Sequence, residues 1–270
     1  MTHVSVVTIA RGRHHHLAGQ HRSLALGSRR PDSYHVVSMG DPVITTSDHG
    51  GLHREVVPIA VGPDGLPLAA ARNLGVQHAV DRGADVVVLL DVDCLAGFYL
   101  VDAYAEAAAE HPDRLWSGPV TYLPQDVTVH HPAELVPLDD PHPARPAPGP
   151  GESERCTRPE LFWSLSFATT PAAWERIGGF HEGYVGYGGE DTDLALQAEA
   201  AGVECWWLGS ARAYHQHHSV SSPPVEHLDD ILRNGRLFSS RWGTWPMTGW
   251  LTAFERRGLV RREGDDWVRA

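Results

Sequence analysis

Along the first half of the chain, apolar residues gather into short β-branched runs separated by stretches with helical spacing. Val4 to Ile9 is the first run, and a helix-compatible stretch follows it to about Leu26. Tyr34 to Ser38 reads as a second strand, stopped by Gly40-Asp41-Pro42, and Glu55 to Ile59 as a short third. The turn signal Gly62-Pro63-Asp64-Gly65 precedes a helical pattern over Leu68 to Val80. From Asp85 to Leu90 the chain is almost continuously apolar, as in a strand covered on both faces within a parallel sheet. Helix formers resume from Phe98 to Glu110. This alternation predicts an α/β fold with a mostly parallel central sheet flanked by helices.

Between Pro124 and Pro159 the periodicity disappears, and prolines cluster at 132, 137, 141, 143, 146, 148 and 150. The segment reads as a long, partly mobile loop, a lid or a surface insertion. Beyond it the pattern predicts a strand over Phe162 to Thr169 and a helix over Pro171 to Ile177. A second helix starts near Glu190, with Leu194, Ala198 and Ala201 as its buried stripe and Gly202 as its stop. Glu204 to Leu208 and Ala211 to Tyr214 read as further strands. Residues 1–220 thus form the main domain. Residues 221–270 form a helical extension packed on it, with apolar spacing at Leu228, Ile231, Leu232 and Phe238, then at Met247, Trp250, Leu251 and Phe254. Leu259 to Arg262 and Trp267 to Arg269 suit a hairpin about Gly264-Asp265.

Composition narrows the function. The 270 residues carry a formal net charge of −12 and no lysine, which argues against general affinity for nucleic acid. Any anionic ligand must therefore be met by arginine, a helix end or a metal. The three cysteines, Cys94, Cys156 and Cys205, are odd in number and widely spaced, unlike a disulfide framework or a zinc knuckle. No apolar run approaches the roughly 20 residues that span a bilayer. Met1 to Ala10 reads as a first strand rather than a signal peptide. A cytoplasmic protein is expected, with peripheral attachment to a membrane left open.

Asp91-Val92-Asp93 directly follows the buried strand. Ligands of open α/β sheets bind outside the carboxyl ends of the strands, and residues two apart in an extended segment can face the same ligand. Two carboxylates there suit Mg²⁺ or Mn²⁺, one binding directly and one through water or a ribose hydroxyl. Acidic pairs at strand ends also serve as turn residues and helix caps. Further on, Gly188-Gly189 precedes Glu190, Asp191 and Asp193. In a first helical turn the dipole favours an ionised acid, available as a proton acceptor. The same arrangement would equally cap the helix.

Ala71-Arg72-Asn73-Leu74-Gly75, then a strand, then Asp-x-Asp, resembles family-2 glycosyltransferases of the GT-A fold. Gly178-Gly179-Phe180 followed by Tyr187-Gly188-Gly189-Glu190-Asp191 resembles the acceptor module of β-1,4-galactosyltransferases and chondroitin-polymerase-like enzymes. The resemblance implies an inverting, Mn²⁺- or Mg²⁺-dependent transferase. It would move a hexose or N-acetylhexosamine from a nucleotide sugar, first of all a UDP-sugar, to a hydroxyl acceptor. Thr8, Ala10, Arg11, Asp41, Arg72, Asn73 and Asp91 would bind the donor. Asp91, Asp93 and His215 would hold the metal, with His217 the next histidine by spacing. Asp191 would be the general base, and Tyr187, Gly189 and Glu190 would bind the acceptor. His14-His15-His16 reads as solvated or as a minor lining of the donor cleft.

Alternatives on the same fold are a retaining transferase or a sugar nucleotidyltransferase, and a metal-dependent hydrolase built on the histidines is another. The tail, with Arg256, Arg257, Arg261 and Arg262, faintly resembles a winged-helix element, which would make the protein a nucleic-acid binder instead of an enzyme. Donor sugar, acceptor and oligomeric state are not specified by these motifs.

Overall fold

The computed structural model describes residues 2–219 and 221–270. In chain order its elements are β1 (Val4–Ala10), α1 (His14–Ala25), β2 (Ser33–Met39), β3 (Ser47–His49), β4 (Leu52–Ile59), α2 (Leu68–Asp81), β5 (Val86–Leu90), β6 (Cys94–Ala96), α3 (Leu100–Glu110), β7 (Leu115–Ser117), β8 (Val120–Tyr122), β9 (Ser153–Arg155), β10 (Ser166–Thr169), α4 (Pro171–Ile177), α5 (Glu190–Ala200), β11 (Cys205–Leu208), β12 (Ala213–His215), α6 (Leu228–Trp242), α7 (Thr248–Arg256), β13 (Val260–Glu263) and β14 (Asp266–Arg269). A central sheet runs β3-β4-β2-β1-β5-β10-β7-β11-β9. Its β4-β2-β1-β5 stretch is parallel, whereas β10 lies antiparallel between β5 and β7.

β5 is buried along its whole length because both of its faces are covered. Val86, Val88 and Leu90 pack with Leu17 and Leu24 of α1 and Leu100 and Tyr104 of α3. Val87 and Leu89 face the opposite way, into a core shared with Val76 of α2, Ala173 of α4 and Leu194 of α5. That two-sided burial removes the polar alternation a half-exposed strand would show. Gly75 lets α2 ride close on the sheet: a Cβ there would stand 2.3 Å from Cγ1 of Val7. The close approach carries Arg72, earlier on the same helix, toward the strand ends.

The Pro-rich segment is more anchored than its composition predicts. A 3₁₀ turn over Pro132–Leu138 buries Leu135 against Leu95, Leu123 and Tyr214. β9 pairs antiparallel with β11. Arg145 is only 6% exposed, its guanidinium 5.2 Å from the ring centre of Trp163 and 4.8 Å from that of Trp207.

The tail joins the main body through α6. Phe238 of α6 sits in the core beneath α4 and α5. The far side of α6 builds its own cluster with Leu251, Phe254, Val260 and Trp267. β13 and β14 form the expected hairpin. Three of the four tail arginines are engaged within the chain: Arg257 donates to Ser222 O, Arg261 pairs with Glu263, and Arg262 lies over Trp267, whereas Arg256 is exposed. Among the described residues no helix is long and apolar enough to cross a membrane.

One buried acid joins the two parts. Asp193 is fully buried and accepts from Tyr184 Oη at 3.0 Å, Gln197 Nε2 at 2.8 Å, Arg241 Nε at 2.7 Å and Trp242 Nε1 at 2.7 Å. Removing one partner of a buried charge pair strands the other. Asp193→Ala is therefore expected to cost about 3–5 kcal/mol, seen as a lower urea midpoint. A midpoint within error of wild type would show that these contacts contribute nothing net.

Candidate active site

A second, small sheet, β6-β12-β8, is what brings a histidine to the acids. β6 begins one residue after Asp93, and β12 pairs with it so that His215 stands opposite Cys94. His215 Nε2 lies 3.5 Å and His218 Nε2 3.2 Å from Asp93 Oδ2. Tyr122 of β8 stacks on the His215 ring at 4.6 Å, fixing its plane. Burial opposes ionisation of Asp93, but hydrogen bonds and attraction from His215 and His218 outweigh it and hold the carboxyl well below the usual range. His217, the neighbour favoured next by spacing, is exposed, and His218 takes the place beside Asp93. Of the early histidines, His14 is exposed and pairs with Asp41, whereas His16 is buried 6.2 Å from the His218 ring.

Arg72 connects the two acidic motifs. Its Nη2 donates to Asp91 Oδ1 at 3.1 Å and its Nη1 to Glu190 Oε1 at 3.4 Å, while the guanidinium lies 5.2 Å from the Phe180 ring centre. Arg72 thus reaches an acid 118 positions away in sequence as well as one 19 positions away. Burial pushes Asp91 up to about 6, against the pull of Arg72. Glu190 is pushed up to about 7 by burial and by the neighbouring Asp191 carboxylate. Among the described residues Glu190 Oε2 has no hydrogen-bond partner.

The glycine turn before α5 is shaped for close approach rather than for capping. Gly188 and Gly189 have φ of 95° and 93°, the left-handed region that disfavours side chains. Gly189 is the N-cap residue of α5, and no side chain caps the helix. The first-turn acids have other partners: Asp191 Oδ1 accepts from Ser164 Oγ at 2.6 Å, and Glu190 meets Arg72. Tyr187 remains 37% exposed and stacks with His227 at 4.5 Å and Trp250 at 5.8 Å, so the tail forms part of the wall on this side.

The expected donor residues divide into two groups. Arg72 and Asp91 meet in the cleft, whereas Thr8, Ala10 and Asn73 are committed elsewhere. The Thr8 hydroxyl is buried 2.8 Å from Gln20 Oε1 and 2.9 Å from Leu90 O, and Ala10 packs in the core, so neither side chain is free to line a nucleoside. Asn73 Nδ2 donates to Phe180 O and Glu182 Oε1, and its Oδ1 accepts from Phe180 N, each at 2.9 Å. It pins the Gly-Gly-Phe loop in place. Asp41 ties the end of β2 to the β1–α1 turn, accepting from Gly12 N at 2.7 Å and His14 Nε2 at 2.9 Å; these bonds lower its carboxyl below the ordinary value. Arg11 is exposed at the end of β1.

Comparison with known proteins bears on the fold. The family described as the N-terminal domain of galactosyltransferase matches residues 157–219, which hold Ser164, the glycine turn, Asp191 and His215. No curated protein sequence matches the chain. Among solved structures, S. aureus TarS 1–349 superposes with a TM-score of 0.57 at 15% identity, covering 89% of this chain and 65% of that one. GalNAc-T7 with UDP, GalNAc and Mn²⁺ gives 0.57 at 13% identity, covering 89% and 50%. The chain has the GT-A fold of glycosyltransferases. It spans about two thirds of the TarS fragment and half of GalNAc-T7.

Within this GT-A scaffold, several residues at the site carried no signal in the sequence. Ser164 and His218 reach the acids, and Tyr122 the His215 ring, only through tertiary pairing. Arg145 comes from the segment that reads as a lid; its Nη2 donates to Ser117 Oγ, and its buried Nε and Nη1 have no partner among the described residues. A separate groove of about 790 Å³, lined by Gln77, Trp174, Gly179 and Glu182, contains neither Asp93 nor Asp191.

Proposed function

We propose that this protein is an inverting, divalent-metal-dependent glycosyltransferase, moving a hexose or N-acetylhexosamine from a UDP-sugar to a hydroxyl acceptor. The observation that carries the reading is the Arg72 bridge between Asp91 and Glu190, which puts a donor-side acid and an acceptor-side acid around one buried cation. Relatives in fold support the donor class: TarS has been solved with UDP-GlcNAc, at 12% identity and a TM-score of 0.57 over 87% of this chain and 66% of that one.

The chemistry of the donor set fits a metal. Asp93, His215 and His218 each offer one ligand atom, all within 4.8 Å of one another. A carboxylate with two imidazoles suits Mn²⁺ better than Mg²⁺, which prefers oxygen alone. A metal held there would supply Lewis-acid neutralisation of the donor diphosphate.

The remaining work falls to the chain's own residues. Ser164 orients Asp191, whose free carboxylate oxygen takes the proton of the acceptor hydroxyl. The acceptor oxygen then bonds to the anomeric carbon from the face opposite the leaving group. The bond from that carbon to the diphosphate breaks, its electron pair leaves with UDP, and configuration inverts. Glu190, with its unpartnered Oε2, binds acceptor hydroxyls, and Arg72 offsets the charge that three neighbouring acids would otherwise accumulate.

A panel of nucleotide sugars with Mn²⁺, read by thermal shift, tests the proposal. A donor present at 100 times its Kd is expected to stabilise the fold by about 2.7 kcal/mol. Failure of every UDP-, GDP- and TDP-sugar to move the midpoint would remove the donor assignment.

A further inference from the structure

Away from the cleft, β2, β4 and α2 bring two histidines and a glutamate together. His35 of β2 and Glu55 of β4 are paired neighbours in the parallel register, so their side chains share a face of the sheet. α2 covers that face and adds His78, whose ring meets that of His35 at 4.9 Å. One donor atom from each residue lies within 4.8 Å of the other two. We propose that His35, Glu55 and His78 form a second metal site, suited to Zn²⁺, which clamps α2 to the sheet.

Three observations carry the assignment. The His35 side chain is only 2% exposed, yet among the described residues neither ring nitrogen makes a hydrogen bond of good geometry, although Nδ1 stands 3.3 Å from Glu55 Oε2. A buried polar group with no partner is costly, so a ring left this way needs a ligand. Secondly, the spacing leaves room for an ion: the three donor atoms lie within 4.8 Å of one another, and the two imidazoles flank the carboxylate, His35 Nδ1 3.3 Å from Oε2 and His78 Nε2 3.2 Å from Oε1. Zinc bonds of roughly 2.0–2.1 Å in a tetrahedron put neighbouring ligands roughly 3.3–3.4 Å apart. Thirdly, two imidazoles and one carboxylate are a common zinc donor set, with the fourth position left to solvent.

Arg82 is the competing occupant. Its Nη2 lies 2.7 Å from Glu55 Oε1 and its Nη1 3.2 Å from His78 Nδ1. The side chain is 43% exposed at the C-terminal end of α2, so it can give up an ion pair of little net worth and swing into water. A cluster closed by Arg82 alone accounts for Glu55 and for His78 Nδ1, but among the described residues it leaves His78 Nε2 and both nitrogens of His35 without a hydrogen bond. His78 lies six residues beyond Arg72, about 9 Å along the helix. An ion here would therefore steady the helix that presents Arg72 to the cleft.

Cobalt provides the test, because Co²⁺ in a tetrahedral zinc site absorbs visible light. Asp93→Asn protein, which lacks the carboxylate of the Asp93, His215 and His218 cluster, is stripped with chelator and then titrated with Co²⁺ and Zn²⁺. One Co²⁺ per chain is expected, with visible bands that Zn²⁺ abolishes and a Zn²⁺-dependent rise in Tm. Adding His78→Gln, at a part-exposed position, is expected to remove the bands, the bound ion and the Tm response together. If Asp93→Asn does not fold by circular dichroism, wild type against His78→Gln provides the same subtraction, with the loss of one ion and of the visible bands expected. Equal cobalt binding with and without His78, or none in either protein, overturns the proposal. None of these readouts requires the glycosyltransferase reading to hold.

Discussion

Asp191→Asn is expected to keep donor binding and to lose transfer, with kcat falling by about 10²–10⁴. That range corresponds to roughly 3–5 kcal/mol of transition-state stabilisation. The amide keeps the size of the side chain and an oxygen for the 2.6 Å bond from Ser164 Oγ, so the glycine turn and α5 should be undisturbed. What it removes is a basic oxygen able to take the acceptor proton. The measurement pairs calorimetry, using UDP and Mn²⁺, with single-turnover transfer. Donor affinity should match wild type while the chemical step slows. Full turnover by the variant would take Asp191 out of the role of base. In the wild-type enzyme, the anomeric configuration of the product separates the inverting reading from a retaining one, because a single displacement can yield only inversion.

Much of this organisation was legible in the sequence because local pattern and global fold agree there. Val4 to Ile9, Leu68 to Val80 and Asp85 to Leu90 are long enough for their periodicity to show, and each became an element close to its expected limits. The five strands that escaped, β3, β6, β7, β8 and β9, are three residues long. Such pieces carry no period of their own and exist because a neighbouring strand pairs with them. β9 is the extreme case, wholly exposed Ser-Glu-Arg in a Pro-rich stretch, held by its register with β11.

The site divides along the same line. Asp91, Asp93, Glu190 and Asp191 stand in recognisable local strings, whereas Ser164, Tyr122 and His218 are defined by what lies across from them in space. The choice between His217 and His218 is not decided by spacing. It depends on how the chain leaves β12, which turns one ring outward and the other toward Asp93. Asn73 shows the opposite error. A motif position next to Arg72 reads as a ligand contact, but its amide donates to Phe180 O and to the Glu182 carboxylate and accepts from Phe180 N, so the Phe180 loop takes both of its functions.

Asp93→Asn should be the more damaging change, lowering both donor affinity and turnover. In wild type the carboxylate sits between two imidazoles, and its ionised form is favoured strongly by them. Asparagine retains the shape of the turn, and the backbone bond from Gln216 N to residue 93 O, 2.7 Å long in this structure, does not depend on the side chain. It withdraws the negative charge that an Mn²⁺ ion would need from this set. Lewis-acid stabilisation is worth several kcal/mol, so transfer is expected to fall by about 10³-fold or more, while Mn²⁺ no longer strengthens UDP binding. His215→Ala should follow in the same direction with a smaller loss, since His218 and Asp93 remain. The pattern across the acids is the diagnostic part: Asp191→Asn separates binding from chemistry, and Asp93→Asn loses both. UDP affinity that is the same in Asp93→Asn and wild type, and equally enhanced by Mn²⁺ in each, would remove Asp93 from the metal site and leave the ion to be held elsewhere.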